Sequence, residues 1–169
     1  MIKELDIYKG KRVLVTGHTG FKGSWLSIWL NELGAEVIGY ALNPYTNKDN
    51  FVLTNLSTKI IDIRGDIRDY EKLKEVFEKY SPKFVFHLAA QPLVIDGYNN
   101  PKATFDINVG GTVNVLENCR HSKSVRAIIN VTSDKCYENK EWVWGYREVD
   151  PLGCLLYTSD AADELDGVD

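Results

Sequence analysis

Three glycines recur at every third position in Val13-Leu-Val-Thr-Gly17-His-Thr-Gly20-Phe-Lys-Gly23. They sit between an apolar run that ends at Thr16 and an apolar-faced helical run over Phe21 to Leu33. That order suits the pyrophosphate of a dinucleotide. Glycine lets the backbone turn sharply and come close to phosphates, and a helix start offers free N–H donors with a partial positive charge. Glycine spacing alone would say little; strand, loop and helix in succession say much more. Gly17, Thr19, Gly20, Phe21 and Gly23 are therefore candidate cofactor-binding residues, with a plain strand-to-helix turn as the alternative.

Further candidates stand at other strand ends. Leu88-Ala89-Ala90 closes an apolar run, and small side chains at the carboxyl edge of a sheet let a ligand approach the backbone. Core packing alone would also accept alanine, and His87 within that run reads as a satisfied core histidine. Asn108 precedes Gly110 and Gly111 in a helical stretch. Each glycine there is about 1 kcal/mol worse than alanine, which points to close backbone contact; a simple bridge from helix to sheet is the alternative for Asn108. Thr132, Asp134 and Lys135 follow another apolar run, where catalytic groups of such a sheet project. An acid held beside a base suits proton transfer, while a surface ion pair worth little is the plainer reading.

The elements that must position these residues alternate. Strands are expected at Arg12–Thr16, Glu36–Leu42, Lys59–Ile63, Phe84–Leu88 and Ala127–Thr132, mostly apolar on both faces as in a parallel sheet covered by helices. Asp69 caps a helix whose Tyr70, Leu73, Val76, Phe77 and Tyr80 share one face, and Ser81-Pro82 stops it. Gly34 ends the first helix. Asn100-Pro101 opens another, with Phe105, Val109, Thr112, Leu116 and Cys119 expected to face the sheet. The pattern predicts a doubly wound α/β fold, a parallel Rossmann sheet truncated after its fifth strand.

Composition narrows the function classes. At 169 residues with 44% hydrophobic and 26% charged residues, the chain can bury a core as one domain. No apolar stretch reaches the roughly 20 residues of a membrane span, and no signal-peptide profile opens the chain. Cys119, Cys136 and Cys154 are odd in number and widely spaced. Neither zinc nor a disulfide is indicated, and reduced thiols in a cytoplasm are expected. The net charge of −4 is carried by the end of the chain: residues 154–169 hold five acids and no base, and without them 19 acids face 20 Lys and Arg. Neither balance suggests nucleic acid. After Gly153 the text Cys-Leu-Leu-Tyr-Thr-Ser-Asp-Ala-Ala-Asp-Glu breaks the alternation and looks like translated sequencing adapter. Residues 154–169 are therefore read as a non-native tail, with an acidic disordered tail as the alternative, and 1–153 as an incomplete dinucleotide-binding domain.

Taken together, Gly17-His-Thr-Gly20-Phe-Lys-Gly23-Ser-Trp25-Leu, Phe86-His-Leu-Ala-Ala90-Gln-Pro92-Leu-Val, Thr132-Ser-Asp-Lys135-Cys-Tyr137-Glu-Asn and Glu141-Trp-Val-Trp-Gly-Tyr146-Arg-Glu resemble the extended short-chain dehydrogenase/reductase family. Within it, they look like the CDP-glucose 4,6-dehydratases, over residues 10 to 153. The resemblance implies NAD as cofactor, CDP-glucose as substrate, a homo-oligomer when complete, and a C-terminal sugar-nucleotide domain that is absent here. The implied lyase reaction runs through a transient hydride cycle. Oxidation at carbon 4 acidifies the proton at carbon 5, water leaves from carbons 5 and 6, and hydride returns to carbon 6.

By the same resemblance, Asp66 accepts from the adenine amino group and Ile67 packs on the ring, a solvated surface turn being the alternative. Asn108 supports the active site and cofactor. Thr132 hydrogen-bonds the sugar at carbon 4, Asp134 is the acid at carbon 6, and Lys135 is placed for the carbon 5 proton. Trp142, Trp144 and Tyr146 read as a substrate-facing loop or a hydrophobic flap. Departures from the family pattern matter too. Its Tyr-x-x-x-Lys pair is expected where Thr158 and Ala162 stand, so the chain alone is expected to be inactive. Ile95 replaces an arginine. Asn43, rather than an acid, follows the second strand, so NAD over NADP rests on resemblance. Another nucleotide-sugar epimerase or dehydratase, and a non-catalytic NAD-binding module, are the competing readings.

Overall fold

A computed structural model of the chain describes residues 3–133, 136–138 and 140–152. They form two compact units, one drawn from 3–90 and 106–131, the other from 91–105, 132–133, 136–138 and 140–152.

The first unit carries the sheet. In chain order it contains a 3₁₀ turn Lys3–Tyr8, β1 (Arg12–Thr16), α1 (Phe21–Glu32), β2 (Glu36–Ala41), the short α2 (Asn50–Leu53), a 3₁₀ turn Leu56–Thr58 and β3 (Ile61–Arg64). Then come α3 (Tyr70–Tyr80) and β4 (Phe84–His87). In the second unit, α4 (Val94–Asn99) and α5 (Pro101–Phe105) lie between β4 and the return of the chain to the first. A π-helical turn Asp106–Gly111, α6 (Thr112–His121) and β5 (Ala127–Asn130) complete the sheet unit.

All four strand pairs are parallel, in the order β3-β2-β1-β4-β5. This is the Rossmann-like arrangement expected from the alternation. The chain moves outward from β1 to β3 and then returns to β4, so the loops after β1 and β4 diverge at adjacent strand ends. That divergence is the switch point at which doubly wound sheets bind ligands.

Each sheet face has its own core. Leu14, Ile38, Tyr40 and Val85 pack with Leu73, Val76 and Phe77 of α3 and Val115 of α6. Val13, Val15, Val37 and Phe86 pack with Leu30 of α1 on the other face. Asp69 caps α3 by accepting from Lys72 N at 3.0 Å, and Gly34 takes the left-handed φ of +80° that ends α1.

One helix departs from expectation. Of the residues expected to face the sheet, Thr112 bonds His87 of β4 and Cys119 packs on the core of that face, whereas Val109 and Leu116 are 46% and 42% exposed, as is Phe105 of the second unit at 37%. Gly111, Val115 and Asn118 are buried. The π turn explains the shift for the residues it contains and precedes. It takes in an extra residue, and the buried side of α6 is centred on Val115 and Asn118, with Thr112 and Cys119 at its edge and Leu116 outside it. β5 ends at Asn130, shorter than expected, and among the described residues no strand pairs with its outer edge; Ile129 is 47% exposed.

Candidate functional site

At the switch point the glycine loop is held against the end of β4. Gly17 has φ +76° and donates to the Tyr40 carbonyl at 2.9 Å. A Cβ there would stand 2.8 Å from Ala89 N and 2.9 Å from the Leu88 carbonyl carbon. Positive φ and backbone crowding each exclude a side chain. Gly20 N donates to the Gly17 carbonyl at 3.0 Å and closes the turn, and Gly20 then serves as N-cap of α1 without a side-chain cap. A Cβ on Gly23 would overlap the Gly17 carbonyl, so the third glycine is what lets the helix seat on the loop.

The first helical bond at this end is Ser24 N to the Gly20 carbonyl at 2.9 Å. Among the described residues, the amides of Phe21, Lys22 and Gly23 have no acceptor, and no acidic side chain stands in the first turn. Open amides at the positive end of a helix dipole form an anion cradle. Thr19 is nearly buried, whereas the Phe21 side chain is exposed; Phe21 therefore offers the site its amide rather than its ring.

Beneath the loop, Thr16 joins β1 to β4. Its buried hydroxyl accepts from Leu88 N at 3.1 Å and Ala89 N at 3.2 Å and lies 2.6 Å from His87 Nδ1. With two donors already pointing at the oxygen, its own proton goes to Nδ1. His87 Nε2 then carries the ring proton and donates to Thr112 Oγ1 at 3.1 Å, and Thr112 donates to the Asn108 carbonyl at 2.6 Å. Burial pushes the His87 pKa down to about 4. The ring is thus a neutral structural link between β1, β4 and the π turn, matching the core role read from the sequence. Leu88 packs toward one sheet core and Ala89 toward the other, and Ala90 is exposed at the strand's carboxyl end.

On the opposite side of the loop, Tyr40 donates to the Asp66 carbonyl at 2.9 Å, and a Cβ at Gly65 would overlap the Tyr40 ring. The Asp66 carboxylate is bidentate with Arg68, through Nε at 3.0 Å and Nη2 at 2.6 Å, and also accepts from Arg68 N at 2.9 Å. Those bonds, led by the Arg68 side chain, hold its pKa below the usual carboxylate range. Ile67 is 6% exposed, and a Cβ at Gly111 would meet its side chain. Gly111 therefore fits the close approach expected of a helical glycine, whereas Gly110 has open space around its Cα. Asn108 is half-buried within the π turn.

Sequence reasoning missed a buried group beside the loop. His18, fully buried, sets Nε2 2.8 Å from Asp62 Oδ1, and Asp62 Oδ2 pairs with Arg64 at 2.8 Å. Arg64 also donates to the Leu42 carbonyl at 2.9 Å and lies 4.7 Å from the Phe51 ring centroid. Burial lowers the His18 pKa, against an upward pull from Asp62. A Cβ at Gly39 would overlap the His18 ring, so a glycine inside a strand was the available signal. Asn43, where an acid was sought, is exposed.

In the second unit, Thr132 is exposed, and Asp134 and Lys135 lie outside the described residues. Its loop rings pack on one another: Tyr137 stacks on Tyr146 at 5.0 Å and Trp142 tilts onto Tyr146 at 6.1 Å. Trp144 is 71% exposed, as is Ile95 at 64%. The adapter-like text from Cys154, with Thr158 and Ala162, also lies outside the described residues. No group of His, Cys, Asp or Glu that could hold a metal occurs among the described residues. No helix among them is long and apolar enough to cross a membrane.

A family model described as GDP-mannose 4,6 dehydratase matches residues 14–152. The chain belongs to that family. Members of the GDP-mannose 4,6 dehydratase family and their relatives among curated proteins include the CDP-glucose 4,6-dehydratase of Salmonella typhimurium, 52% identical over 88% of this chain and 41% of that protein. The CDP-paratose 2-epimerase of Salmonella typhi is 34% identical over 94% of the chain and 47% of its own length. The chain thus spans less than half of each. Among solved structures, an epimerase from Methanothermobacter thermautotrophicus aligns with TM-score 0.75 and 29% identity over 92% of the chain and 44% of that protein. The UDP-glucose 4-epimerase of Brucella ovis, in complex with NAD, aligns with TM-score 0.72 and 29% identity over 85% of the chain and 42% of that protein.

Proposed function

We propose that this chain is the cofactor-binding part of a nucleotide-sugar dehydratase that converts CDP-glucose to CDP-4-keto-6-deoxyglucose, with NAD as its cofactor. The observation that carries the reading is the cradle at the start of α1. Three amides there lack acceptors, and neither Gly17 nor Gly23 has room for a Cβ. The 52% identity to a CDP-glucose 4,6-dehydratase supports the substrate, and the NAD complex of the Brucella epimerase supports the cofactor.

When bound, NAD supplies the hydride acceptor and donor for the sugar. Gly17, Thr19, Gly20, Phe21 and Gly23 would hold its phosphates through backbone amides. Asp66 and Ile67 would flank the adenine, with the Asp66–Arg68 pair holding the carboxylate ionised and oriented. Leu88, Ala89 and Ala90 would border the cofactor at the β4 end, with Ala90 the exposed one of the three, and Asn108 would support that end through Thr112 and His87. Thr132 would hydrogen-bond the sugar at carbon 4, with Asp134 as acid at carbon 6 and Lys135 acting on the carbon 5 proton. A nucleotide-sugar in a cytoplasmic compartment is the partner that fits this chemistry.

Calorimetric titration of NAD into the chain tests the cofactor reading. Saturable binding that Gly23→Ala abolishes is expected, and a folded chain that ignores NAD would overturn it. For the substrate, the gene completed beyond Gly153 should convert CDP-glucose to a product lighter by one water. Turnover of UDP-glucose to its 4-epimer instead would sink the dehydratase assignment.

A further inference from the structure

The end of the sheet opposite the glycine loop holds a row of cations that the dehydratase reading does not use. Val13 pairs with Phe84 and Phe84 with Ala127, so Arg12 at the start of β1 stands beside Lys83 and Arg126, the residues just before β4 and β5. Backbone bonds fix them there: Lys83 N donates to the Arg12 carbonyl at 2.8 Å and Arg126 N to the Lys83 carbonyl at 2.9 Å. Register partners in parallel strands project to the same face, about 4.8 Å apart, and like charges so placed repel. Lys11 joins them, and with Ser81 and Ser124 these side chains line a shallow concavity of about 270 Å³.

Two ordinary explanations for the row fail on the contacts. Glu36 lies beside Arg12 in register, yet none of the four cations forms an ion pair among the described residues. α3 and α6 end nearby, where the Ser81 amide bonds the Phe77 carbonyl and the Ser122 amide the Asn118 and Cys119 carbonyls, but no side chain of the four cations donates to a helix-end carbonyl among the described residues. The serine hydroxyls are engaged as well, Ser124 with the Pro82 carbonyl at 2.8 Å. Among the described residues no carboxylate lies within ion-pair distance of these cations. At about 3.3 Å per residue, the length of β1 separates Arg12 from Thr16 by about 13 Å, so this is not the cofactor cradle.

We propose that this concavity is a second anion site, built for a diphosphate group. One such group presents at least two negative charges across a span that three adjacent strands can meet, and the cavity is too small for a whole dinucleotide. The ligand is either inorganic pyrophosphate or the diphosphate of a nucleotide.

The test uses the chain saturated with NAD, so that the glycine loop is filled. Pyrophosphate and GDP are titrated by calorimetry against the wild type and a Lys83→Gln/Arg126→Gln double variant. Both ligands are expected to bind the wild type saturably and the variant at least about tenfold more weakly, with NAD affinity unchanged. Tighter binding of GDP assigns the site to a nucleotide, and equal binding to the bare diphosphate. In anion-free buffer the variant should melt no lower than the wild type, because like-charge repulsion is relieved, and pyrophosphate should raise the melting temperature of the wild type alone. No saturable binding to the NAD-saturated chain, or equal effects on wild type and variant, would overturn the proposal.

Discussion

Thr16 has one proton to give and two amides to receive, and that count fixes everything its hydroxyl touches. Replacing it by valine keeps the shape but leaves Leu88 N, Ala89 N and His87 Nδ1 with fewer partners. Thr16→Val should therefore destabilise the chain by about 2 kcal/mol, measured by urea unfolding. His87 makes a pH prediction with a definite sign. Its folded pKa, about 4, lies below the ordinary 6.5, so the unfolded chain binds the proton first. The stabilisation is present above about pH 6.5 and is lost as pH falls toward 4. Between about pH 7 and about pH 5 the wild type should lose about 2 kcal/mol more than His87→Gln does. Equal slopes in the two urea series would show that the ring is not buried neutral. At the loop itself, Gly17→Ala meets both a left-handed φ and the Ala89 amide. Weakening of NAD binding by at least about tenfold is expected in calorimetry.

The π turn Asp106–Gly111 decides which side of α6 is buried. Gly111 faces Ile67 so closely that Gly111→Ala must push either the turn or the isoleucine away. A loss of about 1–3 kcal/mol is expected from that overpacking, whereas Gly110→Ala, with open space, should be neutral or slightly stabilising. Urea melts of the pair separate the two cases. The element also shows where pattern reading stops. Helical spacing named Phe105, Val109, Thr112, Leu116 and Cys119 as the inner face on the assumption of unbroken i→i+4 bonding; Thr112 and Cys119 do reach the sheet side, whereas Val109 and Leu116 are exposed. Nothing in the side-chain pattern marks the extra residue; the Thr112–Asn108 bond and the Gly111–Ile67 contact mark it only in three dimensions. By contrast, Asp69 as a cap and Leu73, Val76 and Phe77 as the inner stripe of α3 were legible, since capping and an uninterrupted stripe are local.

For the whole molecule, β5 closes the described sheet with an open edge, and Ile129 and Val131 are 47% and 44% exposed. Unpaired strand edges with apolar side chains invite pairing between chains. The chain should therefore associate in a concentration-dependent way in light scattering and unfold with poor cooperativity. A monomeric, fully cooperative transition at all concentrations would contradict this. The chain should also bind NAD without turning over CDP-glucose, because threonine and alanine occupy positions 158 and 162, where the family resemblance sets its tyrosine and lysine.

The sequence by itself determined the parallel α/β alternation, the glycine cradle and its helix, and the caps of α1 and α3. These depend on neighbours within a few residues, and glycine, aspartate and apolar periodicity report such neighbours directly. Tertiary structure alone decided the buried chain from Thr16 through His87 and Thr112 to Asn108, and the His18–Asp62–Arg64 group under the loop. It also set the rotated face of α6 and the row of Arg12, Lys83 and Arg126. Apart from the α6 face, which follows from the π turn just before it, each of these joins residues tens of positions apart, and their meeting is set by strand register, which leaves no periodic trace in the chain.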